Sequence, residues 1–233
     1  MKKTEVVKQL KALGTEQTRR TYARHGITGD AYGVRYGDLY KLVKSVGTDH
    51  ELAEDLWATG NHDARVLATM VADPARIKAG VIDRWVKAVD NALMLDAVAK
   101  LVARTSLARK RVDKWIESRQ EWIATTGWHL LAAMLCGDDE RLDNDEVAGY
   151  LERIEANIHE SPNWVRNAMN GALIAIGLRN AALQKRALAA AKRIGKVEVD
   201  HGQTACKTPD ATAYIKKAAA HRSGKKKHRR IPA

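Results

Sequence analysis

The sequence predicts an all-α chain, a stack of helix pairs forming an α-solenoid. Three observations predict it. Of 233 residues 45% are hydrophobic, Phe is absent, Ala and Leu are abundant and only four are Pro, a composition that favours long, closely packed helices over sheets. Segments with helical apolar spacing come in pairs joined by short breaks, and the pairs return about every 40 residues, a period of helical-repeat arrays. The pairs also look alike. Around Trp57-Ala58-Thr59-Gly60-Asn61-His62, Trp115-Ile116-Glu117-Ser118-Arg119-Gln120 and His159-Glu160-Ser161-Pro162-Asn163-Trp164, one helix ends, a few polar or small residues turn, and a second helix starts.

Residues 3–24 give two short helices broken at Gly14-Thr15. Tyr32-Gly33-Val34-Arg35-Tyr36-Gly37-Asp38-Leu39 is a Gly-rich, aromatic loop entering a helix. No Lys-Ser/Thr follows its glycines, which excludes a P-loop. Thr48-Asp49-His50-Glu51 reads as a capping box, Thr48 with Glu51 three residues on, opening a helix over Glu51–Ala58. Gly60-Asn61 leads into His62–Val71, and Asp73-Pro74 ends that pair. The next pairs are 80–88 with 91–105, and 107–118 with 120–136, the latter separated at Ser118-Arg119. Asp143–Asn157 pairs with a helix opening at Ser161, and 180–195 with 210–221 finish a single repeat domain over residues 1–222.

The helix from Ser161 to Gly177 is the cleanest. Ser161 suits the N-cap, Pro162 the first helical position and Gly177 a C-terminal stop. Val165, Ala168, Met169, Ala172, Leu173 and Ile176 share an apolar face, while Asn163, Arg166, Asn167 and Asn170 share an opposite arc that holds no acid. A solvated surface explains such an arc; so does a face that donates hydrogen bonds to phosphates and sugars.

Forty Lys and Arg against 28 Asp and Glu give a net charge of +12, and the pI is about 9.7. This is the footprint of a polyanion binder, although membrane surfaces and acidic proteins are polyanions too. No apolar run is long enough to span a bilayer, and the N-terminus lacks the apolar region of a signal peptide, so a cytoplasmic protein, nucleoid-associated if bacterial, is expected. Cys136 and Cys206 stand far apart with no CxxC, and His201 with Cys206 gives too few ligands for a metal. The end of the chain, 223–233, is basic and expected to be disordered; Lys225, Lys226, Lys227, Arg229 and Arg230 read either as a solubilising end or as a non-specific nucleic-acid arm.

Asp49-His50-Glu51-Leu52-Ala53, Leu56-Trp57, Asn61-His62 and Ala64-Arg65 resemble the DNA alkylation repair (AlkD-like) HEAT-repeat family. So do Trp164-Val165-Arg166-Asn167-Ala168-Met169-Asn170 and the stretch from Asp200-His201-Gly202 to Cys206-Lys207-Thr208-Pro209. The resemblance runs from about Tyr32 to Tyr214. It implies a C-shaped superhelix whose basic concave face holds duplex DNA. It also implies, for active members, excision of cationic alkylated bases such as 7-methylguanine or 3-methyladenine without metal or cofactor. Their chemistry uses an Asp that stabilises the developing sugar cation, flanked by two aromatic side chains and an Arg. Carried onto this chain, the Asp falls on Asp96, but the flanking positions fall on Ala92, Thr125 and Gly171. Taken alone, Asp96 reads as an ordinary surface carboxylate paired with Lys100, and Gly171 as a residue that permits close packing.

Three functions are therefore open. The first is a DNA-binding protein that contacts the backbone of duplex or branched DNA through Arg65, Lys100, Lys207, the arc of Asn163, Arg166, Asn167 and Asn170, and the basic tail, acting as a monomer. The second is a glycosylase using Asp96, and the third a protein-interaction scaffold.

Overall fold

The computed structural model describes residues 1–137 and 139–228, with side chains through His221. The described residues form thirteen helices and no strand, grouped into two compact units.

The first unit comprises Met1–Leu130 with His201–Ala205. It contains α1 (Lys3–Leu13), α2 (Glu16–Arg24), α3 (Tyr36–Val46), α4 (His50–Trp57), α5 (His62–Val71), α6 (Ala79–Lys87), α7 (Ala92–Ala103), α8 (Ala108–Ile116) and most of α9 (Glu121–Cys136). The helices start where a short polar side chain can take an orphan backbone N–H. Thr15, Asp49, Asn61 and Asn91 accept from the backbone N–H of Thr18, Leu52, Ala64 and Met94. Each such cap stabilises its helix by about 1 kcal/mol. The α4 cap is Asp49 rather than Thr48, and the helix runs His50–Trp57, beginning and ending one residue before the expected Glu51–Ala58. Trp115 of α8 and Trp128 of α9 are fully buried, and Gly127 lets the two helices meet: a Cβ there would stand 2.6 Å from the Ile116 nitrogen.

The Gly-rich loop before α3 is held by a buried carboxylate. Asp63, with no exposed surface, accepts from the backbone N–H of Gly33 at 2.9 Å and Val34 at 3.0 Å, and the Tyr22 hydroxyl lies 3.1 Å away. Gly33 sits at φ +81°, where a side chain would be strained. Burial, then the neighbouring Asp63 charge, pushes the Tyr22 hydroxyl pKa well up. The loop is thus wired to α5, and its amides are spent on Asp63.

The second unit comprises Leu131–Asp200 and Cys206–Ala233 and contains α10 (Asn144–Asn157), α11 (Asn163–Gly177), α12 (Ala181–Ile194) and α13 (Ala211–His228). Asp143 and Glu146 close a full capping box on α10, and Asn180 caps α12. The six expected apolar residues of α11, from Val165 to Ile176, are all buried. Ser161 does not cap α11; Pro162 occupies the cap position, and the Ser161 hydroxyl donates to the Asn157 carbonyl at 2.9 Å. The helix ends on Gly177 as expected, with Leu178 at the cap, and Gly177 is also a packing residue, since a Cβ there would meet Ile215 Cδ1 at 2.6 Å and Ala187 Cβ at 3.1 Å. The backbone of α13 continues to His228, so helix runs into the first part of the basic tail that was expected to lack structure. No described helix is long and apolar enough to cross a membrane.

Candidate functional site

Asp96 lies in the middle of α7, with its side chain 40% exposed. Lys100, one turn on, places its ammonium 2.6 Å from one carboxylate oxygen, and His129 of α9 brings Nδ1 within 3.8 Å of the other. Burial alone would raise the Asp96 pKa; the contacts from His129 and Lys100 outweigh it and hold the carboxyl below its ordinary value. Tyr36, at the start of α3, belongs to the same neighbourhood: burial first, then the Asp96 charge, pushes its hydroxyl pKa up. Asp96 is therefore an ionised carboxylate with cationic company. It can stabilise a nearby positive charge, but Lys100 already offsets part of its own. Sequence spacing foretold Lys100; nothing in it could point to His129, 33 residues away on another helix.

The positions that would flank such a carboxylate do not supply aromatic or cationic groups. Ala92 is half-buried, and Thr125 is buried with its hydroxyl donating to the Glu121 carbonyl at 2.7 Å. Gly171 is exposed, and a Cβ there would meet nothing within 4 Å. It is open surface, which corrects the expectation that it permits close packing.

Arg65 lies on α5 with its guanidinium 5.3 Å from the centre of the Trp57 ring, and its Nε donates to the Trp57 carbonyl at 3.4 Å. Trp57 in turn stacks on Trp85 at 4.2 Å and 4°. Stacking holds the guanidinium plane in place and leaves the side chain half-exposed.

The arc on α11 is put to a different use. Asn163 donates from Nδ2 to the Asp200 carbonyl and accepts the Asp200 N–H on Oδ1, both at 2.8 Å. Arg166 donates from Nη1 to the Glu198 carbonyl at 2.9 Å and from Nη2 to the Ser161 carbonyl at 3.1 Å. Asn170, only 1% exposed, donates to the Pro209 carbonyl at 3.0 Å. These three side chains fasten Glu198, Asp200 and Pro209, from the segment between α12 and α13, to α11. Asn170 is sealed away from any phosphate, a correction to its expected DNA contact, and the hydrogen bonds of Asn163 are taken up by backbone. Asn167 remains half-exposed and Lys207 exposed. The side chains of Lys225, Lys226 and Lys227, and all of Arg229 and Arg230, lie outside the described residues.

Paired helices, many capped by a short polar side chain, define an all-helical repeat protein. A family model described as "DNA alkylation repair enzyme" matches residues 6–215, and the chain belongs to that family. Uncharacterised proteins of Listeria innocua and Listeria monocytogenes are each 31% identical over 217 residues, covering 90% of this chain and 94% of theirs. A solved structure from "a new family of proteins related to the HEAT-like repeat DNA glycosylases with affinity for branched DNA structures" superposes with a TM-score of 0.87. It is 30% identical, and the match covers 95% of each chain.

Proposed function

We propose that this protein binds DNA, branched DNA in particular, through backbone contacts, as a cytoplasmic monomer without metal or cofactor. The observation that carries the reading is the likeness over 95% of both chains to a protein with affinity for branched DNA structures. A net charge of +12 supports it, because phosphate contacts supply most non-specific affinity. Arg65, Lys100, Asn167, Lys207 and the basic tail are the groups proposed to meet phosphates. Asn163 and Arg166 contribute by shaping the segment they hold.

Binding to a labelled four-way junction and to linear duplex, followed by fluorescence anisotropy across a salt series, tests this. The junction is expected to bind more tightly, and a footprint of about six phosphates loses roughly a thousand-fold in affinity between 50 and 200 mM salt. Equal affinity for both DNAs, or binding indifferent to salt, would contradict it.

One observation favours a second reading, excision of cationic alkylated bases: Asp96 is half-exposed and held ionised. A base that already carries a positive charge is a good leaving group, so one carboxylate near the sugar could suffice. Release of free 7-methylguanine from methylated duplex, lost in Asp96→Asn, would establish it; no release with enzyme in excess removes it.

A further inference from the structure

Tyr40 has no evident packing role. It stands on α3 with 54% of its surface exposed, while Leu39 and Leu42 of the same helix are buried. One turn earlier is Tyr36, whose hydroxyl feels the charge of Asp96 and the proximity of Tyr40. Lys44, one turn beyond Tyr40, is exposed. Arg35 and Lys41, with side chains 77% and 78% exposed, share a single carboxylate, Asp38, at 3.4 and 2.8 Å. Three cations against one acid leave this stretch of α3 net positive. Gly37, three residues before Tyr40, is exposed and its missing Cβ would meet nothing within 4 Å, so the ground beside the ring is open.

We propose that Tyr40 is a stacking platform for an unpaired base at a DNA branch point, with Lys44, Arg35 and Lys41 on the flanking phosphates. The inference rests on the DNA-binding reading and adds to it the residue that prefers a branch over linear duplex. A base inside a duplex has both faces covered by its neighbours. A base at an open branch point has a free face, and an exposed aromatic ring on a net-positive stretch of helix matches that face and its phosphates together. Stacking depends little on which base is offered, so the site selects DNA structure rather than sequence.

The test uses the full chain with three labelled DNAs: a four-way junction with unpaired thymines at the crossing, the same junction fully paired, and linear duplex. Tyr40→Phe keeps the ring; Tyr40→Leu keeps apolar bulk and loses it. At an exposed position both variants are expected to fold, which thermal melting checks. Tyr40→Leu is expected to weaken binding to the unpaired junction by about 5- to 100-fold. Tyr40→Phe should bind it as the wild type does, with linear duplex little changed in either variant. Unchanged affinity of Tyr40→Leu for the unpaired junction, or an equal loss on all three DNAs, would overturn the inference and leave the DNA-binding reading standing. Wild-type protein that binds no junction would overturn the DNA-binding reading, and this inference with it.

Discussion

Two polar faces of the molecule are built from similar side chains and do different work. On α7, Asp96 keeps 40% of its side chain in solvent, and its partners are the side chains of Lys100 and His129. On α11, Asn163, Arg166 and Asn170 spend their hydrogen bonds on backbone groups of Ser161, Glu198, Asp200 and Pro209, and Asn170 is 1% exposed. A side chain bonded to another side chain can exchange that partner for a ligand at little cost. Asn170, itself buried, cannot do so without leaving its own amide unpaired, which costs about 1–3 kcal/mol. The α11 arc is therefore mostly structural, whereas Asp96 keeps solvent contact and exchangeable partners.

The largest test of that contrast is steric. Gly177→Leu on the buried side of α11 drives a side chain into Ile215 and Ala187 and is expected to lose about 3 kcal/mol of stability in urea unfolding. A neutral outcome would show that α11 and α13 are loosely joined. Asn170→Ala comes next. It leaves the Pro209 carbonyl without its donor, should cost about 1–2 kcal/mol, and should speed amide exchange around residues 195–210, with DNA affinity unchanged once folding is allowed for. A fall in DNA affinity without a fall in stability would break the contrast outright.

Gly171→Ala, on the open side of the same helix, should gain about 0.5–1 kcal/mol, since a Cβ there meets nothing within 4 Å and Gly is a poor helix former. Opposite signs at Gly171 and Gly177, six residues apart, would sharpen the picture of α11 as a helix with one packed and one open side. The smallest effect is expected at Asp96. Asp96→Asn removes a half-exposed ion pair worth at most about 1 kcal/mol, visible only in its pH dependence. The folded carboxyl titrates below its ordinary 3.8, so its stabilisation is complete above that value. It is lost as pH falls through the lowered folded value, and the variant should lack that limb in a pH series of melts. If the α7 face meets phosphates, the same variant should bind DNA slightly more tightly, through loss of a repelling charge; unchanged binding would move the DNA elsewhere.

Much of the fold was legible because helix ends are local events. Asn61, Asp143 and Asn180 announce their helices through bonds to groups three residues on, and the apolar stripe of α11 follows from its period alone. Where two local signals competed, the reading slipped by a residue, as at Thr48 against Asp49 and at Ser161 against Pro162. The candidate site was legible only in part. Lys100 is one helical turn from Asp96 and could be placed. His129 and Tyr36 come from other helices, and the hydrogen bonds of Asn163 and Asn170 reach 37 and 39 residues along the chain.

The sequence by itself determined that this protein is a basic set of paired helices and, through its resemblance, that it belongs with the DNA alkylation repair family. The first resides in composition and in spacings of three and four residues, the second in the identity of single positions. Tertiary structure decided which polar side chains are free. Asn167 and Asn170 lie on one arc in the sequence, yet one is left half-exposed and the other sealed under Pro209. The reason is physical. A helix's own bonds close within about four residues, whereas the availability of a side chain depends on which distant backbone groups arrive to use it.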